Sequence, residues 1–293
     1  MSAQLSLGAR AFVALQYLLP QGLLSRLIGA IARARAGWIR RPLIASFVRG
    51  YRPDLSDAVQ PDPRSYLSFN AFFTRELRAG ARPSPASHAA IVSPVDGCVS
   101  ALGATTNGRL LQAKRRDYSL LSLLAGNTAL TARLQHGLFM TVYLAPYNYH
   151  RIHMAIAGKL VNAWYVPGRL FSVNDATAQL VPGLFARNER LILEFDGDQG
   201  PHALVMVGAL FVGSMTTVWH GDIAPRRARG AIELPLPQLS VTLARGAELG
   251  RFNMGSTIIV LLPKGAGAWD LALSASTTVR VGQLIGTLNS PRA

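Results

Sequence analysis

Arg251-Phe-Asn-Met-Gly-Ser-Thr-Ile-Ile-Val-Leu-Leu-Pro263 is the stretch on which the fold of this chain turns. Thr257 to Leu262 is a short, continuous apolar run rich in β-branched residues, bounded by a glycine on one side and a proline on the other. That pattern predicts a strand of the core. Gly255-Ser256 stands at its entrance. A hydroxyl beside a glycine at a strand entrance serves as ordinary turn chemistry, or as a group with which the chain attacks itself.

Outward from this run, apolar segments of similar length recur with turn signals between them: Val99–Ala104, Leu110–Ala113, Leu138–Leu144, Leu160–Val166, Leu191–Phe195, Ala203–Val212, Thr216–Trp219, Leu239–Leu243 and Thr277–Leu288. Strands dominate and are not regularly alternated with helices. The fold class predicted is α+β, with an antiparallel β-rich core built as two packed sheets or a barrel and helices at the N-terminal end. Residues 1–50 read as helical with breaks near Pro20 and Pro42, and 51–64 as a polar linker. Ser65–Leu77 reads as a capped helix carrying Phe69, Phe72 and Phe73, and Tyr118–Leu134 as a helical insertion. Two regions follow: a basic helical region over 1–64 and a β-rich catalytic region over 65–293.

The chain has 293 residues and a net charge of +15, and 49% of it is hydrophobic, so it can bury a substantial core. Arg10, Arg26, Arg33, Arg35, Arg40, Arg41, Arg49 and Arg52 fall before the first acidic residue, Asp54, interleaved with bulky aliphatics. Such a mixture predicts amphipathic helices lying on an anionic membrane surface. The longest uncharged stretch, Ala11–Ser25, is shorter than the ~20 residues of a membrane span and contains Pro20. No cleavage signal of secretory type follows it, while the Arg-rich, acid-free composition also suits a transit peptide. A nucleic-acid partner ranks last, because the basic residues alternate with aliphatics and not with aromatic stacking platforms. The single cysteine, Cys98, excludes an internal disulfide and reads as a small apolar residue.

Three places put reactive groups next to strands. Asp96-Gly97 closes the Ser93-Pro-Val-Asp-Gly97 turn. His150 and His153 lie in Tyr149-His-Arg-Ile-His-Met154, without the Cys or acidic cluster that would complete a metal site. On a regular strand these two rings point to opposite faces. Asp96, His153 and Ser256 have the residue types of a nucleophilic triad, with His150 as a second base. No Gly-x-Ser-x-Gly elbow is present.

The long collinear series of these motifs resembles the phosphatidylserine decarboxylase family in its bacterial form. Phe69-Asn-Ala-Phe-Phe-Thr-Arg75, Pro94-Val-Asp-Gly97, Leu111-Gln-Ala-Lys114, Tyr149-His-Arg-Ile-His153, Val166-Pro-Gly-Arg-Leu-Phe-Ser-Val-Asn174, Leu184–Arg190, Val212-Gly-Ser214 and Arg251–Thr257 carry it. Met254 departs from the leucine common in the family, and the arginines of Ala224–Gly230 are extra. The resemblance implies a proenzyme that cuts itself at Gly255–Ser256 into a β chain, 1–255, and an α chain, 256–293. In that scheme His153 takes the Ser256 proton and Asp96 orients His153. Ser256 becomes a pyruvoyl group, a covalent cofactor that forms a Schiff base with the amine of phosphatidylserine, and His150 returns a proton after carbon dioxide leaves. Phosphatidylethanolamine is the implied product. The resemblance also implies a peripheral protein on the cytoplasmic face of a bacterial inner membrane, with the αβ units paired. Two rivals remain at this level: a non-enzymatic lipid-binding β protein, and a serine hydrolase using Asp96, His153 and Ser256 on an external ester.

Overall fold

A computed structural model describes residues 6–113, 116–211, 214–223 and 228–290. Lys114, Val212, Gly213 and the arginines at 226 and 227, singled out above, lie outside the described residues.

Thr257–Leu262 forms a strand at the heart of a nine-stranded antiparallel sheet. It pairs with Leu138–Tyr143 on one side and His202–Val207 on the other. Gly97–Ala104 extends the sheet beyond Leu138–Tyr143, and Arg190–Asp196 followed by Gly158–Val166 extends it beyond His202–Val207. Ile258, Val260 and Leu262 enter one apolar cluster with Met140, Val142, Leu204 and Met206. Ile259 and Leu261 enter another with Phe139, Val205 and Val207. With both faces covered, alternation between polar and apolar residues gives way to the uninterrupted run seen in the sequence. A smaller sheet orders Gly221–Ile223, Met215–Thr217, Glu248–Phe252 and Arg151–His153, and a third joins Ala90–Val92, Leu284–Leu288 and Gly267–Trp269. The α+β class and antiparallel core are as expected. The barrel alternative is not: among the described residues the strands form separate open sheets.

At the N-terminal end, α1 (Leu7–Leu18) and α2 (Gln21–Arg33) are separated at Pro20, as expected. They bend by 93°, and no single described helix is long and apolar enough to cross a membrane. The next break falls at residues 34–36 and not at Pro42, which lies inside α3 (Gly37–Tyr51). Pro42 lies past the first turn of that helix and removes one internal hydrogen bond, yet the helix runs on through it, held by the packing of Ile44 and Phe47. The helix expected over Ser65–Leu77 shrinks to α4 (Phe69–Phe73), capped by the Ser68 hydroxyl. Its three aromatic rings are buried, so packing and not helix propensity fixes that turn. The insertion expected over Tyr118–Leu134 is split into Leu120–Leu123 and Thr128–Leu134, with Tyr118 drawn into a hairpin strand.

Two buried glutamines tie the helices to the β core. Gln16 accepts a hydrogen bond from Ser172 N at 2.7 Å, and Gln21 from Leu170 N at 2.8 Å. Ala32 and Ile44 of α2 and α3 share an apolar cluster with Tyr66, Phe69, Phe72 and Phe73. A boundary drawn at residue 64 therefore passes through one packed cluster.

Candidate active site

Ser256 is fully buried, and its hydroxyl oxygen has no hydrogen-bond partner. Its carbonyl accepts from Leu144 N at 2.9 Å, which seats it at the first rung of the central strand pairing. Ser25, Thr105, Thr141 and Thr257 also bury hydroxyls without a partner, so what sets Ser256 apart is the backbone leading to it. Two residues earlier the backbone leaves its ordinary range: Met254 has a φ of 113°, a region that side-chain-bearing residues avoid. The strain lies at Met254 and not at the glycine, since a methyl added to Gly255 would meet nothing closer than 3.6 Å.

The nearest imidazole to this bond is that of His150. Its Cε1 lies 3.6 Å from where that Gly255 methyl would sit. His150 is reached through the Ala145–Asn148 turn, closed by Ala145 N donating to Asn148 Oδ1 at 2.7 Å. Its ring stacks on Phe73 with centroids 4.0 Å apart. Nε2 donates to the Pro146 carbonyl at 3.3 Å, which leaves Nδ1 as the lone-pair nitrogen, buried and without a partner. Burial, then the nearby Arg75 cation, drives the His150 pKa down to about 3, so the ring is neutral. Arg75 is itself buried, and its Nη2 donates to the Tyr147 carbonyl at 3.2 Å in the turn that presents His150.

His153 faces the other way, as the strand geometry requires. Its Nδ1 donates to the Gly246 carbonyl at 2.8 Å, and Nε2 accepts from the Tyr149 hydroxyl at 3.1 Å. It is less buried than His150, and burial lowers its pKa in the same direction. Asp96 is not hydrogen-bonded to it. The carboxylate is taken by Arg82, at 3.2 and 2.7 Å, and by Val281 N at 2.8 Å. The Asp96 turn nevertheless abuts the histidine, since His153 N donates to Pro94 O at 2.8 Å. Gly97 is needed where it stands: a Cβ there would come within 2.4 Å of the Tyr143 carbonyl. His153 thus meets the Asp96 turn and His150 meets the Gly255–Ser256 segment, but no Asp–His–Ser hydrogen-bond relay is formed. Cys98 is half-buried in its strand, where burial pushes its thiol pKa up, in keeping with the apolar role expected of it. Among the described residues no three of His, Cys, Asp and Glu cluster as metal ligands would.

An apolar cavity of about 540 Å³ opens onto the Gly255 bond. Ile28, Ile31 and Ala32 of α2, Leu43, Phe47 and Tyr51 of α3, Phe73 of α4, and Met254 line it. The cavity joins the Gly255 segment to α2 and α3, which also carry exposed apolar side chains: Leu23 is 69% exposed, Leu27 56% and Trp38 81%. Two contributors escaped sequence reading. In the sequence Phe73 reads as part of a helix interior, and Arg75 as part of a motif with no role of its own. Only the tertiary contact with His150 reveals either.

A buried hydroxyl, a neutral imidazole and an apolar chamber meet at Gly255–Ser256, an arrangement that suits the site of an enzyme. Comparison with known proteins gives the family. A family model described as phosphatidylserine decarboxylase matches residues 69–287, and a second, described as PSD, matches 11–52. A phosphatidylserine decarboxylase proenzyme from Ectopseudomonas mendocina is 49% identical, covering 94% of this chain and 98% of the relative. Proenzymes of the same name from Methylococcus capsulatus and Pseudomonas fluorescens are 46% and 47% identical, covering 95% and 97% of this chain and 96% and 99% of their own lengths. The chain belongs to the phosphatidylserine decarboxylase family.

Proposed function

We propose that this chain is a phosphatidylserine decarboxylase proenzyme that makes its own pyruvoyl cofactor from Ser256. The observation that carries the reading is the buried, unpartnered Ser256 hydroxyl behind a strained Met254. Ser256 Oγ attacks the Gly255 carbonyl carbon. The Gly255–Ser256 C–N bond breaks, the nitrogen gains a proton, and an ester links the two residues. Loss of the Ser256 α-proton with the Gly255 carboxylate as leaving group then separates the chains, and hydrolysis of the new N-terminus releases ammonia. The residues fit the group: the hydroxyl has no competing partner, and the space beside Gly255 is lined by carbon. The pyruvoyl carbonyl supplies an electron sink for the carbanion left by departing carbon dioxide.

The two histidines divide the proton work by basicity. A nitrogen as weakly basic as that of His150 is a poor acceptor for a serine proton near neutrality. His153 is the base for self-cleavage, with Asp96 beside it on the Pro94 turn, and the Tyr149 hydroxyl must leave Nε2 for that step. His150 flanks the chamber that receives the lipid headgroup. The negative charge of an incoming headgroup raises its basicity, so that it holds the proton delivered to the substrate α-carbon. The lipid chains lie in the apolar chamber. The basic N-terminal helices dock on anionic lipid at the cytoplasmic face of a bacterial inner membrane, and residues 1–64 form the docking region.

Intact mass of the denatured protein tests the scheme. Two chains are expected, with residues 256–293 blocked and reactive toward hydroxylamine, and Ser256→Ala should give one chain. A single uncut chain with an ordinary Ser256 that turns over phosphatidylserine would sink the proposal. His153→Gln should stay uncut, while His150→Gln should be cut and lose at least 100-fold in decarboxylation. The reverse pattern would exchange the two roles.

A further inference from the structure

The segment before the Gly255–Ser256 bond is clamped by a polar network that the proposed chemistry does not use. Asn253 is buried, and its backbone N donates to the Ser214 carbonyl at 3.0 Å. Its side-chain Nδ2 donates to Ser214 Oγ at 2.7 Å and Thr216 Oγ1 at 2.8 Å, with a longer contact of 3.4 Å to Asp222 Oδ1. Its Oδ1 accepts from Asn70 Nδ2 at 3.1 Å. Both amide hydrogens and one of the two acceptor positions of Oδ1 are thus engaged. The network reaches the last turn of α2, where Arg33 Nη2 donates to Ser214 Oγ at 2.7 Å and to Asp222 Oδ2 at 3.2 Å.

On the far side of the bond, Ser256 is fixed by its carbonyl to Leu144 N, and Thr257 begins the central strand. Only Met254 and Gly255 lie between the two anchors. Any misfit in length or direction must be absorbed there, and it appears as the φ of 113° at Met254. Glycine would adopt that conformation at little cost; methionine does not.

We propose that Asn253 is a positioning residue for self-cleavage, that it acts by holding Met254 in its strained conformation, and that Arg33 is the outer anchor linking the network to α2. The inference rests on Gly255–Ser256 being the bond cut. Strain held in the uncut chain is released when the bond breaks, so the clamp raises the ground state relative to the cleaved product and aims the Gly255 carbonyl at Ser256 Oγ.

The test follows chain cutting over time by intact mass in full-length protein made by cell-free synthesis, with thermal melting of each variant alongside. Met254→Gly is the informative change, because it relieves the strained φ while removing a part-buried side chain; it should cut at least tenfold more slowly, and when combined with Ser256→Ala it should melt within a few degrees of Ser256→Ala alone. Asn253→Ala should also cut at least tenfold more slowly, and hydroxylamine should not rescue it, since ester formation is the step lost. Arg33→Ala, at a part-exposed position, should slow cutting by a smaller factor, two- to fivefold. Parental cutting rates in Met254→Gly and Asn253→Ala would overturn the positioning role, and a parental rate in Arg33→Ala would overturn the link to α2. Ser256→Ala run in parallel separates this failure from that of the underlying reading: persistent cutting there would show that the bond or its nucleophile is elsewhere.

Discussion

Burial of neutral imidazoles has a consequence for stability that can be read residue by residue. His150 and His202 are held neutral by burial, with pKa values near 3 and 4 against an ordinary 6.5; Arg75 reinforces the shift at His150, and Asp196 opposes it at His202. Each binds a proton more readily in the unfolded chain. Their contribution to stability is complete above pH 6.5 and is lost as pH falls toward the folded values, with a slope of at most ~1.4 kcal/mol per pH unit for each ring. Glu189 works in the opposite sense. Burial raises its pKa to about 7, so its protonated form stabilises at low pH and that share is lost as pH rises from 4.5 through 7. The Ser256→Ala chain, which should stay whole, allows urea midpoints to be compared at pH 7 and pH 5. Replacing His202 by Gln, far from the reactive bond, should flatten the loss between them. An unchanged slope would mean that His202 is not buried neutral. At this scale the sequence announced Ser256, Asp96 and the two histidines, because their chemistry is written in residue type. It did not announce Asn253, Arg75 or the strain at Met254, since each acquires its part from residues distant in sequence.

Among the elements, the central strand was the most legible. A run apolar on every residue has no place except between two covered faces, and that is where Thr257–Leu262 lies. Ile258, Ile259, Val260, Leu261 and Leu262 are all buried, at roughly 2 kcal/mol each. Thr278–Val279 and Leu284–Leu288 add pairings to Gly97–Ala104 and Ala90–Val92. The piece comprising residues 256–293 should therefore stay with residues 1–255 through gel filtration in native buffer and separate only in denaturant. Dissociation of the two pieces in native buffer would contradict the strand's central place. Helix boundaries were less legible. Pro42 reads as a breaker because a proline removes a donor, but the packing of Ile44 and Phe47 outweighs the one internal hydrogen bond lost there. Ser65–Leu77 reads as a longer helix because propensity is local, whereas its aromatic turn is set by the cluster around Phe72.

On the scale of the whole molecule, charge and hydrocarbon meet on the N-terminal helices. Leu15, Leu18, Leu23, Leu27 and Trp38 are exposed along α1 to α3, in company with the exposed arginines 26, 35, 41 and 49. Arg33 and Arg40 are different, being engaged with Ser214 and with the Tyr66 carbonyl. Changing Arg26, Arg35 and Arg41 to Glu should abolish sedimentation with vesicles containing anionic lipid at low salt while leaving the melting temperature within a few degrees of the parent. Retained binding would refute electrostatic docking, worth about 1 kcal/mol per arginine near such a surface. The N-terminal bias in charge was plain from the sequence. That these helices also wall the chamber leading to Gly255 was not, because their apolar faces are claimed partly by the protein and partly by the outside.

The seating of Ser256 against Leu144 bears on quality control. Its enclosure exists only after strands from three distant parts of the chain have assembled around it. On the proposed chemistry, a misassembled copy lacks the enclosure, stays in one piece and never acquires a working carbonyl. The ratio of cut to uncut protein is then a built-in gauge of folding yield, and defective copies are born inert.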